Sequence, residues 1–309
     1  ANLFSSSISP VILSAVILSI CAAILLIGKY PLFDKTMKVM ILILSISTVI
    51  AFIAAVEHGS MAQPHLTKMF TWDLVGVSFL VALMGWMPST IDVSVWHSFW
   101  CVERRKQMHC APNMKEALFD FHLGYWGTAV MALLFLSLGA LVMYGTGETF
   151  SGSAINFSGQ VVSLYTKALG SWSYPVIITA ATVTMFSTTL SCLDAFPRII
   201  REASMIVIPS SGDYADKIYF GWMVLVIFGA LLIIGRFVNS MKMLIDIATT
   251  LSFLAAPLFA YINYHTVTDN HMPPEARPSG KMRIFSWFGI VFLSGFSLLF
   301  LIWRFFLLS

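Results

Sequence analysis

Charge is scarce in this sequence. Only 11% of its 309 residues are Asp, Glu, Lys or Arg, against roughly a quarter in a soluble domain. That density cannot cover a water-facing surface, so a soluble globular domain is excluded. Cysteine is scarce too. Cys21, Cys101, Cys110 and Cys192 are the four present; none forms a C-x-x-C pair, and each lies in or beside an apolar run. This excludes a disulfide framework and a zinc ribbon. Basic tracts do not exceed Arg104-Arg105-Lys106 and the net charge is +3, so nothing points to a nucleic-acid partner. No Lys or Arg precedes the first apolar run, which is also long for a signal peptide. The sequence opens Ala-Asn-Leu-Phe without Met, as a processed or truncated chain would. There is no Gly-x-Ser-x-Gly, His-Glu-x-x-His or Walker loop, so no nucleophilic, metalloprotease or phosphate-cradling site is specified. No enzymatic activity and no resident cofactor are expected.

What is present is apolar sequence. Hydrophobic residues make up 58% and the mean hydropathy is +0.84. The apolar residues fall in runs of about 20, the length that crosses a bilayer. The reading is an all-α polytopic membrane protein with about eight spans, near 9–28, 36–56, 70–100, 118–144, 174–196, 218–237, 243–264 and 284–303, forming a single transmembrane domain over 1–309. Orientation follows from the basic residues of the connections. Lys29, Lys35, Lys38, Arg104, Arg105, Lys106, Lys115, Arg198, Arg201, Lys217, Arg277, Lys281 and Arg283 fall in one set, expected on the cytoplasmic side. Lys68, Lys167, Arg236 and Lys242 fall in the alternate set, and an even number of spans puts both chain ends outside. Trp72, Trp172, Trp222, Trp287 and Trp303 stand near span ends, as an aromatic belt would. Short loops lean towards a bacterial cytoplasmic (inner) membrane.

The third span carries the most information. Residues 79–97 read Phe-Leu-Val-Ala-Leu-Met-Gly-Trp-Met-Pro-Ser-Thr-Ile-Asp-Val-Ser-Val-Trp-His. Proline removes a backbone donor and clashes with the preceding turn, so Pro88 predicts a break. Broken backbone at membrane depth is tolerated where it lines a cavity or is packed in protein, and secondary transporters bind ions at such discontinuous helices. Met84, Met87, Ser89, Thr90 and Asp92 surround the break. Helix resumed after it places Ser89, Asp92 and Trp96 on one face, and Thr90, Ser94 and His97 on the next. An aspartate in a span is a functional candidate, and a thioether beside a carboxylate suits a softer divalent ion than Mg²⁺ or Ca²⁺. The competing reading is a plain kink, with Met87 as filler and Asp92 near the aqueous end.

Other polar residues are weaker signals. Thr184, Ser187, Thr188, Ser191 and Asp194 share one broad face of the fifth span, as a wetted path or as small-residue packing between helices. Asp246, Thr249, Thr250 and Pro257 share a face of the seventh. Asp120 and His122 open the fourth span, where the helix dipole favours the acid, and Glu57 and His58 close the second. Cys101, His109 and Cys110 form a loose soft-metal trio whose spacing matches no zinc signature.

The stretch Gly-Trp-Met-Pro-Ser-Thr-Ile-Asp-Val-Ser-Val-Trp-His-Ser resembles the broken sixth helix of Nramp-type metal-ion transporters, which carries a Met-Pro-His motif. The first two spans, with Leu-Phe-Asp-Lys-Thr-Met-Lys between them, look like that family's fourth and fifth helices. Phe186-Ser187-Thr188-Thr189-Leu190-Ser191 resembles its hydroxyl-rich eighth. The resemblance covers essentially the whole chain and implies a partial inverted-repeat, sodium/amino-acid-carrier-like fold. On it the chain holds helices four to eleven, without the first helix and its Asp-Pro-Gly-Asn motif. It implies that Met87 and a carbonyl near Met84 are metal ligands, and that the chain carries Mn²⁺ or Fe²⁺ as substrate by alternating access, with protons coupled. The family's histidine after Met-Pro is Ser89 here, the following Asn is Thr90, and the second histidine falls on Ser94; Asp92 is an addition, expected to stand in as proton carrier or to alter ion preference. The runner-up is a same-fold carrier of an organic substrate such as an amino acid, driven by Na⁺ or H⁺. Ser89, Thr90, Asp92, Ser94, His97, Thr184, Ser187, Thr188, Ser191, Thr249 and Thr250 are the expected pathway residues, and the bilayer, the metal ion and protons the expected partners.

Overall fold

The computed structural model describes residues 9–61, 63, 72–86, 89–108, 113–147, 151, 154–208, 212 and 214–306. Among them no strand occurs. The helices are α1 (Pro10–His58), α2 (Leu74–Trp86), α3 (Val93–Met108), α4 (Met114–Leu138), α5 (Ala154–Leu169), α6 (Ser173–Val207), α7 (Ala215–Phe237), α8 (Met241–Thr268) and α9 (Gly280–Phe306). Among the described residues seven stretches are long and apolar enough to cross a membrane, two of them within α1. Their outward side chains are apolar as well: Ile284 is 74% exposed, Phe228 69% and Leu251 62%. Such continuous apolar surface is unsuited to water, whereas lipid favours helices whose backbone bonds are made internally. The chain is an all-helical polytopic membrane protein.

The expected third span is the one that departs from a simple rod. It comprises α2, with 13 residues, and α3, with 16. At about 1.5 Å per residue these reach roughly 20 and 24 Å, each short of a hydrocarbon core of about 30 Å.

Three expected connections prove to be helical. Spans 9–28 and 36–56 join in α1 without a non-helical loop, Pro31 lying inside the helix. The chain turns so tightly at the junction that a Cβ on Gly28 would fall onto the Leu32 side chain. α6 runs through Pro197 to Val207, so Arg198 and Arg201, counted as loop charges, are helical. Part of the stretch between the expected spans 118–144 and 174–196 folds as α5.

The chain divides into two compact units. Unit 1 comprises Ala1–Lys68, Phe99–Ala111 and Gly127–Lys242. One of its cores joins Ala51, Ala54 and Ala55 of α1 to Leu138, Val142, Tyr165, Leu169, Ile177 and Ile178. The other joins Cys21, Leu25 and Phe33 of α1 to Leu190 and Leu193 of α6 and Met223 of α7. A π turn, Gly139–Met143, closes α4. The widened turn lets the Leu141 carbonyl accept from the Met61 amide at 2.9 Å, which ties the segment after α1 to the end of α4.

Unit 2 comprises Met69–Ser98, Pro112–Trp126 and Met243–Ser309. Its core is Val81 of α2, Phe253 of α8 and Phe300 of α9, with Val77, Met84, Leu254, Leu293 and Phe296 packed around them. Phe253 and Phe296 meet edge to face at 5.8 Å, a favourable geometry for ring quadrupoles. α4 starts in this unit with a reciprocal cap: the Glu116 amide donates to Asn113 Oδ1 at 2.9 Å and the Asn113 amide to Glu116 Oε2 at 3.0 Å. Two of the orphan donors of the first turn are thereby satisfied.

Candidate functional site

The site is assembled where helix stops and starts again. α2 opens on Asp73, whose Oδ1 accepts from the Gly76 amide at 2.8 Å, and ends at Trp86. Met87 and Pro88 lie outside the described residues. Ser89 and Thr90 are non-helical, Ile91 and Asp92 form a turn, and α3 begins at Val93. The α3 start is tight: the amides of Val93, Ser94 and Val95 donate to the carbonyls of Thr90, Ile91 and Asp92 at 3.2, 3.1 and 2.9 Å. These are i to i+3 bonds, as in a 3₁₀ turn.

Proline chemistry sets the other side. In a continuous helix the Met84 carbonyl would accept from the amide of residue 88. Pro88 has no N–H, so that carbonyl cannot receive its helical bond. The end of α2 presents carbonyl oxygens and the negative pole of its dipole, while α3 presents amides and the positive pole. A cation is therefore favoured on the α2 side of the interruption, and an anionic group on the α3 side.

The expected residues of this region take distinct places. Met84 is half-buried against Val81, Phe253 and Phe300. Ser89 is exposed; Thr90 and Asp92 are half-buried, and their carbonyls are engaged in the α3 turn. Ser94 Oγ donates to the Ile91 carbonyl at 2.7 Å and accepts from Asn263 Nδ2 at 2.8 Å. His97 is exposed and stands edge-on to Phe121 at 6.2 Å. On α8, Thr249 is buried and donates to the Ile245 carbonyl at 2.7 Å, and Thr250 is half-buried.

The hydroxyl stripe of α6 belongs to unit 1. Its groups bond chiefly along their own helix. Thr184 donates to Ala180 at 2.7 Å, Ser187 and Thr188 to Thr184 at 3.0 and 2.9 Å, and Ser191 to the Met37 sulfur at 3.8 Å. Hydroxyls that bond back to i−3 or i−4 carbonyls are commonplace in apolar helices, so the stripe is locally satisfied.

Asp194, at the end of that stripe, behaves differently. It is 0% exposed and Arg198 7%. Arg198 donates from Nη2 to Oδ1 at 2.5 Å and from Nε to Oδ2 at 3.0 Å. Trp100 Nε1 donates to Oδ2 and the Tyr219 hydroxyl to Oδ1, both at 2.8 Å. Glu103 then faces Arg198 at 3.3 Å, Arg201 at 3.7 Å and Lys106 at 3.0 Å. α3, α6 and α7 meet in this cluster, and each carboxylate in it faces a cation. The sequence marked Asp194 only as part of a polar face.

Among the described residues no group of three or more His, Cys, Asp or Glu is placed to hold a metal ion. Cys101 is exposed, and His109 and Cys110 lie outside the described residues. Asn263 is the residue of this region that sequence reasoning missed; its one signal was an amide side chain inside an apolar span.

No protein-family model matches this chain, and no solved structure matches it. It is similar to an uncharacterized protein of Pasteurella multocida (strain Pm70), PM0681, with 32% identity over 295 residues, or 94% of this chain. The chain spans 66% of the length of that relative.

Proposed function

We propose that this chain belongs to a secondary transporter of divalent transition-metal ions, of the Mn²⁺ or Fe²⁺ class, which works by alternating access with protons moving alongside. The observation that carries the reading is the interruption between Trp86 and Val93, where the apolar α2 stops and α3, which turns polar at Glu103-Arg104-Arg105-Lys106, begins. Pro88 withholds the donor that the Met84 carbonyl would need, and Met87 adds a polarizable sulfur. A carbonyl oxygen and a thioether replace part of the water shell of a softer divalent cation better than they would that of Mg²⁺. The dipole of α2 favours positive charge at the same end. The resemblance to Nramp-type transporters supports the assignment of Met87 and of the carbonyl near Met84 as ligands. It also supports Ser89, Thr90 and Asp92 as pathway residues, Asp92 being the carboxylate beside the break. The partial inverted-repeat fold and a bacterial inner membrane belong to the same proposal.

Uptake of Mn²⁺ into proteoliposomes holding the full-length protein tests it. Met87→Ala should lower uptake at low Mn²⁺ at least about tenfold, the loss usual for disturbing a metal's ligand set. Parental Mn²⁺ uptake by Met87→Ala, or concentrative uptake of an amino acid in place of the metal, would transfer the assignment to a carrier of organic substrates.

A further inference from the structure

The interruption is held from both sides by one helix. On its near side, Gly85 lies against the α8 backbone so closely that a Cβ there would collide with the Thr249 carbonyl oxygen and stand 3.3 Å from the Phe253 nitrogen. The indole N–H of Trp86 donates to Ser252 Oγ at 3.0 Å. On its far side, Asn263 Nδ2 donates to Ser94 Oγ, whose own proton goes to the Ile91 carbonyl. Ser94 is thus spent as acceptor and donor at once, and its hydroxyl joins the first turn of α3 to α8.

The spacing of these anchors has a consequence. Ser252 and Asn263 are eleven residues apart on α8, roughly 16 Å of helix, while Trp86 and Ser94 are eight residues apart, about 12 Å if helical. The anchors are farther apart on α8 than a continuous α2–α3 helix would place their partners. The intervening chain reaches them by leaving helical geometry, which it does at Ser89–Asp92.

We infer that α8 is a splint across the interruption, and that Asn263 is a positioning residue that sets where α3 begins through Ser94. The functional arm rests on the reading of the interruption as the transport site; the structural arm does not. Neither residue is assigned as a ligand. Their role is to fix the linker that presents the carbonyls.

The test uses the full-length protein in proteoliposomes, with native cysteines replaced by serine and Ile91→Cys as a reporter on the half-buried linker. Maleimide labelling is measured without any metal. Asn263→Leu and Ser94→Ala should each speed labelling at least about fivefold, as expected when a local tether opens. Ser94→Thr, which keeps the hydroxyl, should label at the parental rate. Ser94→Ala is the milder change and carries the test where Asn263→Leu fails to fold. In the native-cysteine protein, the same two variants should raise the KM for Mn²⁺ about tenfold with little change in maximal rate, since a small misplacement of a binding group is costly. Parental labelling in both Asn263→Leu and Ser94→Ala would overturn the splint. Faster labelling with no Mn²⁺ uptake in the parent would uphold the splint and reject the transport reading.

Discussion

The Asp194 cluster of unit 1 and the helix interruption of unit 2 both place polar groups among apolar helices, but they dispose of them in opposite ways. At Asp194 a fully buried carboxylate takes two bonds from Arg198 and one each from Trp100 and Tyr219, and Glu103 brings further cations together. A charge there is neutralised by partners already in place, so the cluster has little left to offer a passing ion. At the interruption Pro88 has no N–H to offer the Met84 carbonyl. The compensated charges of the cluster fix three helices to one another; the proposed transport site would instead leave a carbonyl for a cation.

That contrast makes unequal demands on mutations. The largest effect is expected at the cluster. Asp194→Asn, which leaves buried Arg198 with Glu103 as its remaining counter-charge, should cost about 3 kcal/mol or more, seen as a fall in the thermal midpoint of the detergent-solubilised protein. The double change Asp194→Leu, Arg198→Met should recover much of that loss, because two buried charges are removed together. Failure of the double change to recover any stability would show that the cluster does more than neutralise itself. Tyr219→Phe removes one bond to the carboxylate and keeps the ring under Arg198, which lies 5.6 Å above it. A cost of about 1.5–3 kcal/mol is expected by the same measurement. Ser191→Ala should change stability by no more than about 0.5 kcal/mol, because its hydroxyl meets only a thioether at 3.8 Å. A loss several times larger would mark the α6 stripe as more than locally satisfied.

A carboxylate outside the helices sets the lower end of the comparison. Asp269, just past α8, is held below the usual carboxylate range first by the His271 amide and then by the His271 ring. Its contribution is therefore present above the ordinary carboxylate pKa of 3.8 and fades as pH falls through the lowered value. Asp269→Asn should lower the midpoint slightly at neutral pH, and the difference from the parent should vanish as pH falls through the lowered carboxylate value.

The apolar runs were legible in the sequence, because a lipid-facing helix has to be apolar along its length whatever it packs against. The sequence also predicted a break at Pro88, because proline acts on the chain locally; Met87 and Pro88 lie outside the described residues, and the non-helical residues described beside them are Ser89–Asp92. What holds the interruption was not legible: Ser94 and Asn263 are 169 residues apart, and neither carries a charge or a motif. The Asp194 cluster was hidden for a related reason. Arg198 was read as a loop charge because the apolar run of the fifth span was ended at 196, whereas four residues of helix place it directly on Asp194. Trp100 and Asp194 are 94 residues apart, and pattern along one helix cannot reveal a partner on another. The joint in α1 misled in the same sense: Lys29, Lys35 and Lys38 were read as a connection between two spans, but the chain there remains helical.

Pro88→Ala addresses the central claim most directly, with thermal stability and Mn²⁺ uptake measured on the same preparation of the full-length protein. Alanine restores an amide able to bond the Met84 carbonyl, so stability should be equal or higher while uptake falls to background. Uptake at the parental rate, with that donor restored, would contradict the account.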